Sequence, residues 1–571
     1  MLSLLFSFVS LEAWADPNPP GTMLEKSIVV DIPPEGLGSL EQVIPGIIPS
    51  PIEVPEFLDE SDSCPTGGYW YKIQFKRAEA NLNVTNMELT SQNGYLDFNI
   101  DLDVFLNSEE DPFRFNYWLV CIKYKCDGYV DPFSASVNSM LSIDLVDTDG
   151  DGVKEADVSF GEDLQIDYDL TGDNIHMYSA PNGACPLDGL ESVFQFFGGS
   201  LYDLVLNSIG LENILADVMP ELETTIEDAI NQANIDENVD LGGVTLNIQL
   251  RPSEIQIQEE GLRLAFDAAS SAEVNECVAA YDPGGSKQTD NPMVTMEEFP
   301  EGFDFGAAAS DDFINQALYS LWSSGVLCQT IDESVFALDT SILNLLSGDS
   351  FVEFFPESQK MILKLDPKNP PTLNMATDAD MAIDLKDLGL DFYADVDFRM
   401  AKALSVDMDT DVGVGLALDP STGAVGIEID LDPARVVANV SFNEFVPDKN
   451  PAIEESFTEQ LDTILGFIDI ESLLGDLNLS IPSVSVGEES AGLQDLTILP
   501  SGGAGEDVGI YSTIGPVEYA GCSAEAGAEG EDGCASGCEG GGGCATGGRM
   551  TGRSLLLFFV FVLGILRRRG E

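Results

Sequence analysis

Long stretches of alternating apolar and polar residues constrain the fold of this chain more than any other feature of its sequence. Residues 96–105 run Leu-Asp-Phe-Asn-Ile-Asp-Leu-Asp-Val-Phe, and residues 383–398, 404–414 and 425–431 follow a similar pattern. Because the side chains of a strand point alternately to its two faces, this pattern predicts antiparallel strands with one buried face and one face in water. We assign the many aspartates at the polar positions to the hydrated face.

The charge of the chain limits the kinds of partner that it can bind. Its 571 residues contain 24 Lys+Arg and 100 Asp+Glu, which gives a formal net charge of −76. A surface this negative repels phosphate backbones, so we expect no nucleic-acid partner. The hydrophobic fraction of 44% is typical of a globular protein, and the length allows roughly two to four domains.

The first residues have the composition of an export signal. Residues 1–15 form an apolar run that ends in Ala13-Trp14-Ala15, the small-x-small pattern of a signal-peptidase site. A buried N-terminal helix is the alternative, but prolines follow immediately in residues 16–20. We predict a signal peptide over residues 1–15 and a proline-rich extended leader over residues 16–63.

The other end of the chain predicts attachment to a cell surface. Residues 516–553 form a stalk of Gly, Cys and acidic residues, and residues 554–571 form a short hydrophobic helix followed by an Arg cluster. The apolar part of that helix rises about 20 Å, less than the roughly 30 Å of a bilayer core, which favours a transient stop signal. This order resembles the MYXO-CTERM type of bacterial sorting tail.

The tail resemblance implies cleavage by a sorting protease and attachment through lipid on a cysteine. Cys544 is the candidate for sorting and lipidation, and Cys534 and Cys538 are the alternatives. A plain tail anchor in the membrane is a second interpretation of the same segment. Both interpretations predict an exported protein, displayed at the cell surface or outer membrane of a Gram-negative-type bacterium.

Export implies an oxidising environment in which cysteines pair. Six cysteines lie in the body of the chain: Cys64, Cys121, Cys126, Cys185, Cys277 and Cys328. Their number suits structural disulfides, but fifteen pairings are open. Cys121 with Cys126, and Cys277 with Cys328, are the candidate pairs.

A loop rich in Pro, Gly and Asp at residues 282–292 divides the body into two halves. We predict a first domain over residues 64–281, a linker over 282–305 and a second domain over 306–515. Amphipathic spacing predicts helices over 222–233, 457–465 and 313–327, the last ending at Gly325. The apolar stripe of this last helix comprises Phe313, Ala317, Leu318, Leu321 and Trp322.

Three features follow one another in the second half: the helix 313–327, the stretch Pro370-Pro371-Thr372-Leu373 before alternating strands, and the closing segment 477–511. This arrangement resembles the TULIP superfamily, and within it the two-barrel bactericidal/permeability-increasing protein-like family. The resemblance implies an α+β fold of two elongated, highly twisted antiparallel β-barrels, each wrapping a long helix. It also implies apolar pockets that hold acyl chains.

Physical chemistry agrees with a lipid as ligand, because each buried CH₂ contributes about 0.8 kcal/mol. The alternative is that the inward residues simply fill a dry core. Family members that bind lipopolysaccharide are basic at the tip of the first barrel, whereas this half has only a modest basic concentration. Endotoxin binding is therefore not expected. The basic residues in question are Lys72, Lys76, Arg77, Lys123 and Lys125.

Residues 147–157, Asp-Thr-Asp-Gly-Asp-Gly-Val-Lys-Glu-Ala-Asp, have the spacing of a calcium-binding loop. Carboxylates at positions 1, 3 and 5 are followed by glycine at position 6, as in EF-hand-like loops, while position 12 is Val158. An acidic hairpin tip is the alternative, and the series Asp407, Asp409 and Asp411 is interpreted as a strand face. The predicted structural Ca²⁺ ligands are Asp147, Asp149, Asp151, Val153 (carbonyl), Glu155 and Asp157.

The sequence lacks a Gly-x-Ser-x-Gly elbow, a Walker loop, a Rossmann fingerprint and His-Glu-x-x-His. Its single histidine, His176, is interpreted as structural, so we predict that the protein is not an enzyme. The leading hypothesis is a surface-anchored protein that binds or transfers lipid or another hydrophobic ligand. A calcium-stabilised structural or adhesive surface protein is the alternative, and a hydrolase that uses His176 is a third hypothesis.

Overall fold

A computed structural model gives the fold of the protein. The described residues are 17–41, 52–53, 58–60, 64–65, 69, 71–119, 121–161, 165–171, 174–181, 183–185, 219–220, 223–224, 226–228, 230–241, 244–289, 293–294, 299–332, 338–375, 381–419, 424–430, 432–460, 479–480, 484–486, 489–501 and 507–516.

The structure describes fourteen strands before the predicted break. In chain order they are β1 (Leu24–Ile32), β2 (Ile52–Glu53), β3 (Leu58–Glu60), β4 (Tyr71–Lys76), β5 (Glu79–Gln92), β6 (Tyr95–Leu106), β7 (Phe113–Leu119), β8 (Ile122–Val146), β9 (Glu155–Phe160), β10 (Gln165–Tyr168), β11 (Ile175–Ser179), β12 (Ile235–Leu241), β13 (Val244–Gln258) and β14 (Gly261–Ala272).

The later strands are β15 (Phe305–Ala309), β16 (Thr330–Ile331), β17 (Met361–Pro367), β18 (Thr372–Asn374), β19 (Met381–Val396), β20 (Arg399–Asp419), β21 (Ala424–Asp430), β22 (Val437–Phe442), β23 (Leu479–Ser480), β24 (Val484–Val486), β25 (Glu489–Leu493), β26 (Thr497–Ser501), β27 (Asp507–Ser512) and β28 (Ile514–Pro516). The helices whose whole extent is described are α1 (Pro34–Leu40), α2 (Asp311–Ser323), α3 (Ser341–Ser347) and α4 (Asn450–Glu459), with 3₁₀ turns at Pro433–Arg435 and Pro447–Lys449.

A seven-stranded antiparallel sheet joins strands from both sides of the predicted break. Its order is β12-β13-β14-β1-β15-β27-β26. The central strand β1 is buried along most of its length and pairs with β14 on one side and β15 on the other. The prediction of an extended leader is therefore wrong for Leu24–Ile32, and the break at 282–305 does not separate two independent sheets.

A ten-stranded sheet forms most of the first half, in the order β2-β5-β6-β8-β7-β4-β3, with β9, β10 and β11 also paired to β8. The predicted alternation is confirmed on β6, where buried and partly exposed positions alternate. An eight-stranded sheet forms the second half, in the order β16-β17-β19-β20-β21-β23, with β18 on β19 and β22 on β20. A three-stranded sheet, β24-β25-β28, completes the pairing.

The fold is mostly sheet with few helices, in agreement with the predicted α+β class. Within the described residues, neither a closed barrel nor a long helix enclosed by one is shown. Helix α2 lies against β14, β1 and β18 at the junction of the two halves. It ends at Ser323, and Gly325 has the left-handed φ of +82° that the sequence anticipated for a stop.

The disulfides are Cys64–Cys121, Cys126–Cys185 and Cys277–Cys328. The Cys277–Cys328 prediction is confirmed, whereas the Cys121–Cys126 prediction is wrong. Cys121 lies in the turn between β7 and β8, while Cys126 lies opposite Phe115 further along the hairpin. Five extended residues span roughly 16 Å, which exceeds the separation of about 7 Å that a disulfide can bridge.

Among the described residues, no helix combines the length and the apolar character needed to cross a bilayer. The predicted signal peptide, Cys544, the stalk after residue 516 and the terminal hydrophobic segment lie outside the described residues, and so does most of the predicted helix 457–465.

Candidate functional site

One apolar face extends along the paired strands β6 and β8. Phe98, Ile100, Leu102 and Val104 are at most 3% exposed, and all belong to a single cluster of buried apolar residues. The polar residues between them point to the other face of the sheet, as period-two alternation requires. Strand β8 has 25 residues and is therefore roughly 80 Å long if extended. The apolar face is elongated.

The central seven-stranded sheet contributes residues to the same apolar cluster. Ile28 and Val30 of β1, Leu250 of β13, and Leu264 and Phe266 of β14 belong to the same apolar cluster as the β6 residues. Strand β13 contacts β5, β6 and β8 directly. The two sheets therefore share one apolar layer, and a layer of this kind suits hydrocarbon ligands.

The sequence did not predict the polar character of the buried face of α2. Gln316 is fully buried, and its side chain accepts from the Ser270 N–H (2.8 Å) and donates to the Thr22 carbonyl (3.0 Å). The neighbouring Asn315 accepts from the Leu373 N–H at 2.8 Å. Among the five residues of the predicted stripe, only Phe313 and Trp322 are buried, and the other three are half-buried. The helix therefore ties segments from both halves together through hydrogen bonds.

Two buried carboxylates also lie at this junction. Burial raises the pKa of Asp31 in β1, although the Arg263 guanidinium at 2.6 Å opposes this shift. Burial likewise raises the pKa of Asp312, which accepts from the Thr289 N–H at 2.6 Å. Each carboxylate is partly compensated by a partner from a distant segment, as buried charges require.

The predicted calcium loop connects β8 to β9, and the structure brings its first three carboxylates together. One oxygen each of Asp147, Asp149 and Asp151 lies within 4.8 Å of the others. Two ligands of one Ca²⁺ are separated by up to roughly 5 Å, so this spacing fits the ion. The turn depends on Gly150 and Gly152, whose φ values are +80° and +88°.

The two other predicted carboxylate ligands, Glu155 and Asp157, are not gathered with these three. Glu155 accepts a hydrogen bond from Thr148, and Asp157 lies within β9 opposite Asp144. The loop is also attached to the central sheet, since Lys154 Nζ donates to the Ser253 carbonyl at 2.7 Å. The described arrangement is therefore a three-carboxylate group on a loop that links two sheets.

Side chains of a helical segment accept hydrogen bonds from the backbone N–H groups on the outer edge of β9, next to this loop. Three N–H groups of alternate β9 residues donate to side chains spaced four residues apart: Ala156 to Asn231 (2.7 Å), Val158 to Glu227 (3.0 Å) and Phe160 to Glu223 (2.8 Å). The described residues of 223–231 are helical, as predicted for 222–233. This pairing protects an edge strand from association with another chain.

The second aspartate series is confirmed as a strand face. Asp407 pairs with Lys368 at 2.6 Å, and Asp411 pairs with Arg435 at 2.8 Å. Asp409 accepts from the Asp387 N–H at 2.8 Å. Each member of this series on β20 therefore has a partner of its own, which differs from the converging carboxylates of the calcium loop.

Of the five residues of the predicted basic concentration, Lys72, Lys76, Lys123 and Lys125 form one group on β4 and β8, the two neighbours of β7. Lys72 and Lys123 lie 5.7 Å and 4.5 Å from the centre of the Trp118 ring. Burial lowers the pKa of Lys123, and the charges of Lys125, Lys76, Lys72 and Arg114 lower it further. Sequence spacing did not identify Arg114, which enters the group because it lies opposite Lys76 in the sheet.

His176 lies on β11, where its ring stacks on Tyr129 with centroids 4.7 Å apart. Its Nε2 is 2.6 Å from Asp131 Oδ2. The histidine is thus held between an aromatic ring and a carboxylate of the adjacent strand.

Comparisons with known proteins find similar solved structures at low identity. Lipopolysaccharide binding protein has a TM-score of 0.42 and 12% identity, covering 87% of this chain and 99% of that chain. P47 of Clostridium botulinum E1 has a TM-score of 0.25 and 13% identity, covering 86% and 100% of the respective chains. Takeout 1 of Epiphyas postvittana has a TM-score of 0.20 and 10% identity, covering 33% and 90%.

No protein-family model matches the chain, and no curated protein matches it in sequence. With these three TM-scores below 0.5, the functional proposal depends on the residues of this chain.

Proposed function

We propose that this chain is a TULIP-type protein that binds or transfers lipid or another hydrophobic ligand at the cell surface. The apolar layer between the ten-stranded and seven-stranded sheets carries the proposal. A ligand tail of a dozen carbons in such a layer would gain roughly 10 kcal/mol from burial, before the costs of binding are subtracted. The protein has no catalytic role in this proposal.

Two segments that carry the resemblance to the TULIP superfamily support the proposal because they contact each other. Leu373, from the Pro-Pro-Thr-Leu stretch, is buried, and its N–H donates to Asn315 of α2. Export, cleavage near Cys544 by a sorting protease and anchoring at the surface also belong to the proposal. They rest on the sequence of the two ends.

The substitution Ala135→Phe tests whether the apolar layer holds a ligand. Ala135 is buried in this layer, opposite Leu102. If an acyl chain lies between the sheets, the added ring takes its place, so the variant should carry less lipid at nearly unchanged stability. Lipid extracted from the purified full chain is quantified by mass spectrometry, and stability is measured by urea unfolding.

Ser136→Phe is the matched control, since the next residue of β8 points to the opposite face. It should retain its lipid. A solidly packed interior gives a different result: Ala135→Phe would then overpack the core, lower the free energy of unfolding by about 1–3 kcal/mol, and no lipid would be found in either protein.

A second proposal concerns the Asp147 loop: it binds a structural Ca²⁺ through Asp147, Asp149 and Asp151. The convergence of these carboxylates and the attachment of the loop to the central sheet favour this proposal. It supports the alternative function of a calcium-stabilised structural or adhesive surface protein, which is compatible with lipid binding.

Removal of calcium should lower the stability of the protein. Extracellular sites bind Ca²⁺ with dissociation constants of about 10⁻⁴–10⁻³ M, so millimolar Ca²⁺ should stabilise the chain by about 1 kcal/mol. The Asp149→Asn/Asp151→Asn variant should lose this response when melting is followed with Ca²⁺ and with chelator. Asp97→Asn, on the exposed face of β6, should keep it, and an equal calcium response in all three proteins would contradict the site.

A further inference from the structure

The hairpin between β19 and β20 turns in two residues, Asp397 and Phe398, whose φ values are +51° and +64°. A two-residue turn with positive φ at both positions normally contains Asn-Gly or Asp-Gly, because a bulky side chain is strained there. Phenylalanine at this position is therefore not explained by the local conformation of the turn.

Phe398 is also the most exposed apolar side chain in the described part of the protein. It is 99% exposed, whereas no other large apolar side chain described exceeds 55%. Val396 and Met400, on the two strands beside the turn, are exposed as well. Among the described residues, the hairpin thus ends in three exposed apolar side chains, of which Phe398 is almost wholly uncovered.

More exposed apolar residues lie at the same end of the eight-stranded sheet. The segment 338–360 starts and ends beside the hairpin, because the Met361 N–H donates to the Leu338 carbonyl and the Asp395 N–H donates to the Lys360 carbonyl. This segment carries three further exposed residues: Leu345, Val352 and Phe354. Six of the fifteen exposed large apolar residues described therefore belong to these two neighbouring segments.

We propose that this end of the sheet, with Phe398 at its tip, inserts into the interface of a lipid bilayer of zwitterionic or neutral lipids. A tip of three side chains is small compared with the roughly 800 Å² that each partner buries in a stable protein interface. Insertion into hydrocarbon requires only that apolar side chains leave water, without a complementary partner surface.

The negative charge of the hairpin and of the whole chain determines which kind of membrane surface the tip can contact. Asp395 and Asp397 outnumber Arg399 at the hairpin, and the whole chain has a net charge of −76. Anionic headgroups are therefore repelled, and a second copy of the chain is repelled too. The proposal concerns contact with a membrane surface and is independent of the ligand between the two sheets.

The substitution Phe398→Trp in the full chain tests insertion locally, regardless of how the C-terminal segment attaches. With vesicles of brominated phosphatidylcholine, emission from the new tryptophan should be quenched, and with unbrominated vesicles it should shift to shorter wavelength. Phosphatidylglycerol vesicles should give smaller changes. The matched control is Val437→Trp, on β22 and roughly 30 Å along the sheet, which should show neither change.

Equal responses of the two variants, or none from the Phe398→Trp variant, would overturn the proposal. So would a blue shift that grows with protein concentration in the absence of lipid, since a second copy would then cover the tip. The variant Asp397→Asn/Phe398→Gly supplies the turn with its preferred residues, so it should melt at a higher temperature. A lower melting temperature would mean that the ring packs within the chain, contrary to the proposal.

Discussion

Replacement of Trp322 with alanine is expected to lower the free energy of unfolding by about 3–5 kcal/mol. Trp322 is fully buried, and its Nε1 donates a hydrogen bond of 2.8 Å to the carbonyl of Pro367. Its ring packs with Tyr319 and Val278. The substitution therefore opens a cavity and removes a donor where α2 meets β17, the strand that ends at Pro367.

Two milder variants separate the cavity from the hydrogen bond in urea unfolding experiments. Trp322→Phe keeps an aromatic ring but leaves the Pro367 carbonyl without this donor, which should cost about 1–3 kcal/mol. Tyr319→Phe loses a bond to the exposed Asp282 (2.7 Å) and should cost less than about 1 kcal/mol. If Trp322→Ala were no more destabilising than Tyr319→Phe, the junction would not be packed as described.

Period-two alternation was sufficient to predict the strands β6 and β19. In both cases one face of the sheet is in water, so apolar and polar residues alternate along the sequence. The prediction extended β19 to Phe398, two residues beyond its end at Val396. Positive φ at two non-glycine residues has no clear sequence signal, so the turn could not be placed.

The same logic explains why β1 was missed. Its residues Ile28 to Ile32 lie between β14 and β15 and are buried at every position, so they show no alternation. A short apolar run of this kind is typical of a strand buried on both faces. The prolines on either side of it led to the prediction of a leader, although Pro33 and Pro34 in fact begin α1.

Sites formed by residues close together in the sequence were easier to predict than sites formed by residues far apart in the sequence. The convergence of Asp147, Asp149 and Asp151 follows from their spacing and from the glycines between them. By contrast, the buried polar face of α2 depends on Thr22 and Ser270, which reach Gln316 only through the sheet. No local sequence pattern indicates hydrogen-bond partners that are so distant along the chain.

Removal of the Cys277–Cys328 disulfide should have an effect as large as the Trp322 substitution. The bond closes a loop with a sequence separation of 51 residues. Loop-closure entropy then predicts that Cys277→Ser/Cys328→Ser lowers the free energy of unfolding by about 4 kcal/mol. Urea unfolding of the variant against the unchanged, oxidised chain measures this loss.

The Cys64–Cys121 disulfide offers a control that isolates the role of the native junction. Its separation of 57 residues is nearly the same, so the entropic costs of losing the two bonds should differ by only about 0.1 kcal/mol. The Cys277–Cys328 disulfide lies next to the end of α2. Just before its two cysteines in the sequence, the Asn275 N–H donates to the Ser323 carbonyl at the last residue of that helix. Its loss should therefore raise hydrogen exchange in α2, whereas loss of Cys64–Cys121 should leave exchange in α2 unchanged. Equal exchange in both variants would mean that the bond acts only on the unfolded chain, and that the hydrogen bonds of Gln316 and Trp322 suffice to hold the junction.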